Sequence, residues 1–261
     1  MGKAIAIFNQ KGGVGKTTTN INLAACLAHR GKKVLMVDID PQGNTTSGIG
    51  IRKRTLKTTL YDALIDTEFD VHKAILPTYT ENLFIIPASV DLAGAEVELA
   101  QLEGREGRLK RVIDAVRNEY DFILVDCPPS LGILTINSLT AVNSVLIPIQ
   151  CEFYALEGVS QLISTIEKVK EKLNPGLYID GVILSMFDGR TNLSHAVVQD
   201  VRNFFGPAMY DTIIPRNVRL AEAPSYGKAV MDYDPKAQGS RAYQEFTKEF
   251  LARERARKRA K

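Results

Sequence analysis

No apolar run in this sequence approaches the roughly 20 residues that a membrane-spanning helix needs. Met1-Gly2-Lys3 leads straight into a strand-like run, without the apolar stretch of a signal peptide. Cysteine is scarce. Cys26, Cys127 and Cys151 are unevenly spaced, with no C-x-x-C pair and too few thiols for a disulfide framework. A reduced, cytoplasmic protein is the expectation. Histidine is as scarce: His29, His72 and His195 are too scattered for a metal cage or a catalytic base and read as surface or helix residues. Net charge is low at +3, and the last ten residues, "ARERARKRAK", carry +5 of it, which leaves the remaining chain near −2. The body is not globally basic, so any anion-binding surface must come from local clustering.

One more absence is local. The stretch "FNQKGGVGKTTTN" (8–20) has the look of a phosphate-binding P-loop, yet the pattern G-x-x-x-x-G-K-[ST] asks for glycine at position 10, where Gln10 stands. A second lysine, Lys11, sits at the mouth of the loop instead.

What is present is an ordinary globular composition: 261 residues, 45% hydrophobic and 24% charged. Short β-branched runs alternate with longer amphipathic ones, the pattern of a parallel sheet covered by helices. Strands are expected at 4–8, 34–39, 83–88, 122–127, 144–149, 181–187 and 209–215, several apolar almost throughout as befits burial on both faces. A helix is expected over 156–173, with Leu162, Ile166, Val169 and Leu173 on one stripe. No internal repeat or low-complexity linker interrupts the chain. The fold class is α/β: one doubly wound, mostly parallel sheet with helices on both faces, covering 1–251 and followed by a basic tail over 252–261.

In such a fold the first βα turn is the favoured phosphate site. "QKGGVGKTT" falls there. Gly12, Gly13 and Gly15 let backbone N–H groups turn inward, and the following helix adds its dipole. Lys16 is expected to hold the β- and γ-phosphates of ATP and Thr17 to ligand Mg²⁺; Val14 and Thr18 complete the binding loop. "FILVDC" ends in Asp126, the arrangement that orients Mg²⁺ through water. "VLMVDIDPQGN" supplies Asp38 and Asp40, with Asp40 better placed to orient the attacking water and Asp38 to support it or the metal shell through water. Lys11 then has a reading. Phosphoryl transfer needs positive charge on the γ-phosphate oxygens, often donated by another chain. A second copy of the protein would place its Lys11 on the first copy's nucleotide, making ATP the glue of a dimer that hydrolysis releases.

"KGGVGKTT", "DIDPQGN", "VDCPPSLG", "PIQCEFYALEG" and "IPRNVRLAEAPSYGK" together resemble the deviant Walker A ATPases of the ParA/Soj type. The resemblance runs from about Lys3 to Phe250. It implies an ATPase of chromosome or plasmid partitioning that forms an ATP sandwich dimer, binds double-stranded DNA without sequence preference, and answers to a ParB-like partner. It places Pro215 and Asn217 at the adenine, Arg190 and Arg219 at DNA, and 151–158 in an interface and switch region. It implies a nucleoid-associated protein with no membrane contact. A MinD-like division-site ATPase is the alternative. That reading needs a C-terminal amphipathic helix with a bulky apolar face, and after Phe246, Phe250 and Leu251 the tail has no large apolar residue. The tail reads as a solvated, fraying helix end, with contact to DNA or another acidic surface as its other reading. A nitrogenase-iron-protein type would need paired cluster cysteines, and a small-molecule ligase would need a substrate pocket; neither is advertised.

Overall fold

The computed structural model describes residues 2–259, so the last two residues of the expected tail lie outside the described residues. Among the described residues eight strands form one sheet in the order β3-β4-β2-β5-β1-β6-β7-β8. They are β1 Lys3–Ile7, β2 Val34–Asp38, β3 Leu76–Pro77, β4 Leu83–Ile86, β5 Phe122–Asp126, β6 Ser144–Gln150, β7 Tyr178–Phe187 and β8 Met209–Pro215. All pairings are parallel except β3 with β4. The helices are α1 Lys16–Ala28, α2 Asn44–Gly48, α3 Leu60–Ile65, α4 Leu92–Leu99, α5 Arg108–Val116 and α6 Ile133–Ala141. They continue with α7 Val159–Lys172, α8 Asn192–Phe205, α9 Val218–Glu222, α10 Val230–Tyr233 and α11 Gln238–Arg259.

Strand side chains alternate between two separate cores. Ala4, Ala6 and Phe8 join Leu35, Val37, Ile123 and Val125 beneath α3 to α8. Ile5, Ile7, Val34, Met36, Phe122 and Leu124 face α1, α10 and α11. The central strands are therefore buried on both faces, which is why they read as unbroken apolar runs.

The structure departs from the sequence-based expectations in three places. Strand β3 has no counterpart among the expected strands: two residues ending in Pro77 are too short for alternation, and a proline is tolerated only at such an edge. Helix α7 starts at Val159, after Gly158 at φ +75°, and its stripe ends at Val169, with Leu173 left 41% exposed. Finally, α11 runs unbroken across the expected boundary at 251–252. The basic residues there are partly bound to the body. Arg253 bonds the carbonyl of Met209 and the Glu249 carboxylate and lies 4.0 Å over the Tyr210 ring. Arg257 joins Lys3 around Asp180, whose side chain is wholly buried, and Glu254. Burying that carboxylate requires such partners, so this part of the expected free tail is a fixed corner of the fold.

Candidate nucleotide-binding site

The site lies beyond the carboxyl ends of β1, β2 and β5, where neighbouring crossovers leave the sheet in opposite directions. The loop between β1 and α1 needs its glycines for two different reasons. Gly13 and Gly15 sit at φ +76° and +92°, where a Cβ is strained. Gly12 has no such angle, and a Cβ built on it meets nothing within 4 Å. Nothing among the described residues demands glycine at position 12. Val14 is buried and its carbonyl accepts from Ser185 Oγ at 2.8 Å, pinning the loop to β7.

Lys16 heads α1, buried, with its ammonium donating to the Lys11 carbonyl at 2.9 Å. Burial lowers its pKa, and the charges of Asp126 and Asp40 oppose that shift. Thr17 Oγ1 donates to Asp126 Oδ2 at 2.8 Å, and Thr45 Oγ1 on α2 donates to the same oxygen at 2.8 Å. Thr46 holds Asp38 Oδ2 by backbone N–H (2.8 Å) and hydroxyl (2.7 Å). Asp38 and Asp126 are register partners on adjacent strands. Each keeps its Oδ1 buried without a partner. Burial, and for Asp38 the neighbouring Asp126 charge, raises both carboxyls above their ordinary range. Two buried carboxylates with one free oxygen each are a fit for Mg²⁺ with its retained waters. Among the described residues no three His, Cys, Asp or Glu side chains converge as a protein-only cage, so the remaining ligands would be Thr17, water and phosphate oxygens.

Asp40 is nearly buried, and its Oδ1 accepts the Gln42 N–H at 2.9 Å, which fixes the carboxylate on its own loop. Lys11 is half exposed and ion-paired with Glu152 of the same chain. Its backbone N–H bonds Asn9 Oδ1 at 3.0 Å. Beside the loop, a cavity of about 340 Å³ is walled by Gly15, Thr18, Met186, Pro215, Asn217 and Leu220. Asn217, on the cavity wall, keeps its Oδ1 as a buried acceptor without a partner. Met186 holds φ +57°, a strained conformation for a long side chain at a cavity wall.

The expected DNA residues stand apart from this cluster. Arg190 is 86% exposed and forks onto Asp188 at 2.7 and 2.9 Å. Arg219 bonds Glu222 at 2.6 Å and approaches Asp234 at 3.4 Å. Arg216, which sequence reasoning did not single out, lines both this cavity and a neighbouring one that contains Arg190. Thr45, Thr46 and Ser185 were also missed, for none belongs to a motif whose spacing announces a role, and Glu152, inside the expected 151–158 segment, was not singled out as the partner of Lys11. The three cysteines are all buried and free, and no two share a site. Among the described residues no helix is long and apolar enough to cross a membrane.

Residues 2–179 match a family model described as an AAA domain. The chain is 57% identical over 252 residues to the sporulation initiation inhibitor protein Soj of Bacillus subtilis, covering 97% of this chain and 99% of that one. It is 50% identical over 254 residues to the chromosome partitioning protein ParA of Myxococcus xanthus, covering 97% and 89%. Among solved structures, it superposes with a TM-score of 0.85 on cobyrinic acid a,c-diamide synthase from Mycobacterium smegmatis, solved with an ATP analogue and magnesium. That match is 36% identical and covers 96% of this chain and 95% of that one.

Proposed function

Because the chain belongs to the ParA/Soj family of chromosome-partitioning ATPases, we propose that it binds Mg·ATP at the β1–α1 loop, dimerises through that face, and in the dimer holds DNA without sequence preference. The observation that carries this reading is the convergence, at the carboxyl ends of the inner strands, of the glycine loop, Lys16, the Thr17–Asp126 pair and an apolar cavity with a free Asn217 oxygen.

The roles follow from chemistry and position. Backbone amides of Gly13 to Thr17 and the Lys16 ammonium would cradle the phosphates. Thr17 and, through water, Asp126 and Asp38 would hold Mg²⁺. The cation, when bound, neutralises charge on the β- and γ-phosphate oxygens. Asp40, held by the Gln42 amide, keeps a second carboxylate oxygen to orient the attacking water. Pro215 packs on the base face, and Asn217 accepts from the adenine amine. Lys11 must leave Glu152 to reach a nucleotide in the second copy, and Gly12 leaves open the space through which that copy approaches. Arg190 and Arg219 bind phosphates in exchange for their acidic neighbours. A ParB-like partner would stimulate hydrolysis, and the working place of such a protein is the nucleoid in the cytoplasm.

A gel shift of a non-specific duplex with ATP, ADP and no nucleotide, run beside liposome sedimentation, tests the reading. An ATP-dependent shift is expected. Liposome binding without such a shift would overturn it in favour of a MinD-like protein.

A further inference from the structure

The nucleotide reading leaves the basic end of α11 without a role. It lies at the foot of the sheet, where β1 and β5 begin, at the opposite end of the strands from the phosphate loop. Two cavities adjoin there, of about 670 and 380 Å³, sharing Asp121, Phe122, Glu254 and Lys258. The smaller is walled on one side by Arg30 and Lys32, in the turn after α1, and on the other by Arg255 and Lys258 of α11.

Not every cation here is available. Lys3 and Arg257 are committed to Asp180 and Glu254, so Glu254 adds no free negative charge to the groove. Among the described residues Arg30 bonds a backbone carbonyl, that of Gln244 at 3.2 Å, and no acid, which leaves its charge uncompensated. Lys32 approaches Asp121 at 3.8 Å, both side chains well exposed. Among the described residues Arg255, Lys258 and the neighbouring Arg259 make no ion pair, and all three are exposed. Set against Asp121, which Lys32 approaches, the four cations Arg30, Lys32, Arg255 and Lys258 make the groove net positive by three. The ends of α1 and α11 hold these cations in place because the corner beneath is welded by the buried Asp180 cluster and by Phe250 packed on Phe122.

We propose that this groove is a second DNA-backbone site, independent of nucleotide. The kind of partner follows from what the groove lacks. An interface with a folded acidic protein is organised around a desolvated apolar or aromatic centre. None of the large exposed hydrophobic side chains lies in this groove: Phe122 and Leu251 at its floor are buried, and the exposed ones lie elsewhere. Phosphate binding needs no such anchor. Flexible, solvated lysines and arginines suffice, and counterion release supplies the affinity. Only the choice of DNA as the polyanion rests on the function proposed above; the charge, the cavity and its rigidity do not. In a dimer joined at the nucleotide faces, the two grooves would point outward from opposite ends, so one dimer could touch two DNA segments.

The test is fluorescence anisotropy of a short non-specific duplex across a salt series, with and without ATP, on the full chain. Arg255→Glu/Lys258→Glu and, on the facing element, Arg30→Glu are compared with Arg219→Glu. Both groove variants should lose nucleotide-independent binding about tenfold or more, and the double variant should lower the log–log salt slope by about 1.8, two phosphates at roughly 0.9 each. Both should keep the ATP-dependent increment and the wild-type Tm, since the altered side chains are exposed. Arg219→Glu should do the reverse. Nucleotide-independent binding that is unchanged in the groove variants, or absent in the wild type while ATP-dependent binding persists, overturns the inference alone. No DNA binding by the wild type under any condition overturns the proposed function as well. Polyglutamate that binds the groove more tightly than a duplex of equal charge assigns it to an acidic protein and overturns the choice of DNA.

Discussion

Lys11 and Glu152 of one chain form an ion pair across the mouth of the nucleotide site, joining the phosphate loop to the segment that follows β6. The side chains are 40% and 33% exposed, so the pair contributes no more than about 1 kcal/mol. A lysine held this weakly is easily drawn to a stronger anion, and the γ-phosphate of a facing copy is one. Its proposed work is thus done between chains.

Lys11→Ala should lower ATP-dependent dimerisation and reduce hydrolysis by roughly 1,000-fold, the scale of a charge donated in trans. It should leave ATP affinity of the diluted monomer within about twofold. Gly12→Val should fail at the same step for a steric reason, because a side chain there meets nothing in its own chain. Nucleotide titration on dilute protein, beside light scattering at high concentration, checks both. A large affinity loss in dilute Lys11→Ala would place the lysine on its own nucleotide.

The Asp38–Asp126 pair should make the nucleotide-free protein less stable than it need be. Burial first, then the neighbouring Asp126 charge, raises the Asp38 carboxyl. A carboxyl raised in the folded state favours folding below its unfolded pKa, and that contribution is lost as pH rises through the folded value. Asp38→Asn removes the effect, keeps an acceptor for Thr46 and sets an amide beside the Asp126 carboxyl. Without nucleotide it should gain about 1–2 kcal/mol, and the advantage in Tm should widen from pH 5 to pH 8. Saturating Mg·ATP should shrink it, because a bound cation would offset the charge of the two carboxylates in wild type. An advantage that narrows with rising pH would refute the account.

Lys16 and Asp40 should separate binding from chemistry. Lys16→Ala removes a buried charge from the phosphates and should weaken ATP binding by about 2 kcal/mol or more, roughly 30-fold at the least. Asp40→Ala should retain ATP, slow hydrolysis by roughly 100-fold or more, and accumulate the dimer. Isothermal titration and light scattering in ATP distinguish the two. A monomeric Asp40→Ala in ATP would remove the water-orienting role assigned to it.

The sequence discloses what is contiguous. Gly13 to Thr17 occupy one turn and state their chemistry in order, and Asp126 ends an apolar run that can only be an inner strand. What stays hidden depends on packing between distant segments. Thr45 is one threonine among several until α2 sets it against Asp126, 81 positions along the chain. Glu152 is a loop acid until β6 carries it to Lys11. The tail misled for the same reason: its composition is that of a solvated helix end, whereas Asp180, a buried acid on β7, draws Arg257 into the fold. Edge strand β3 is too short to have a pattern at all.

Arg190 and Arg219 are each engaged by an acid close by in sequence, Asp188 and Glu222. Neither pair is buried, so exchanging a carboxylate for a phosphate costs little, yet the neighbour dilutes the field that a free duplex meets. Removing the acid should therefore strengthen DNA binding, the opposite of removing the arginine. Arg219→Glu or Arg190→Ala should weaken ATP-dependent duplex binding and flatten the log–log salt slope by about 0.9 for each phosphate left without its arginine. Glu222→Gln should tighten binding severalfold at low salt and converge on wild type as salt screens the neighbour. None of the three should shift the ATP concentration needed for dimerisation, and none should introduce a base preference, because loop arginines position on phosphates without reading bases. Anisotropy on two duplexes of unrelated sequence, from low to physiological salt, checks all of this together. If Glu222→Gln binds more weakly than wild type, the acid is holding Arg219 in its binding pose, and the roles assigned to the pair reverse.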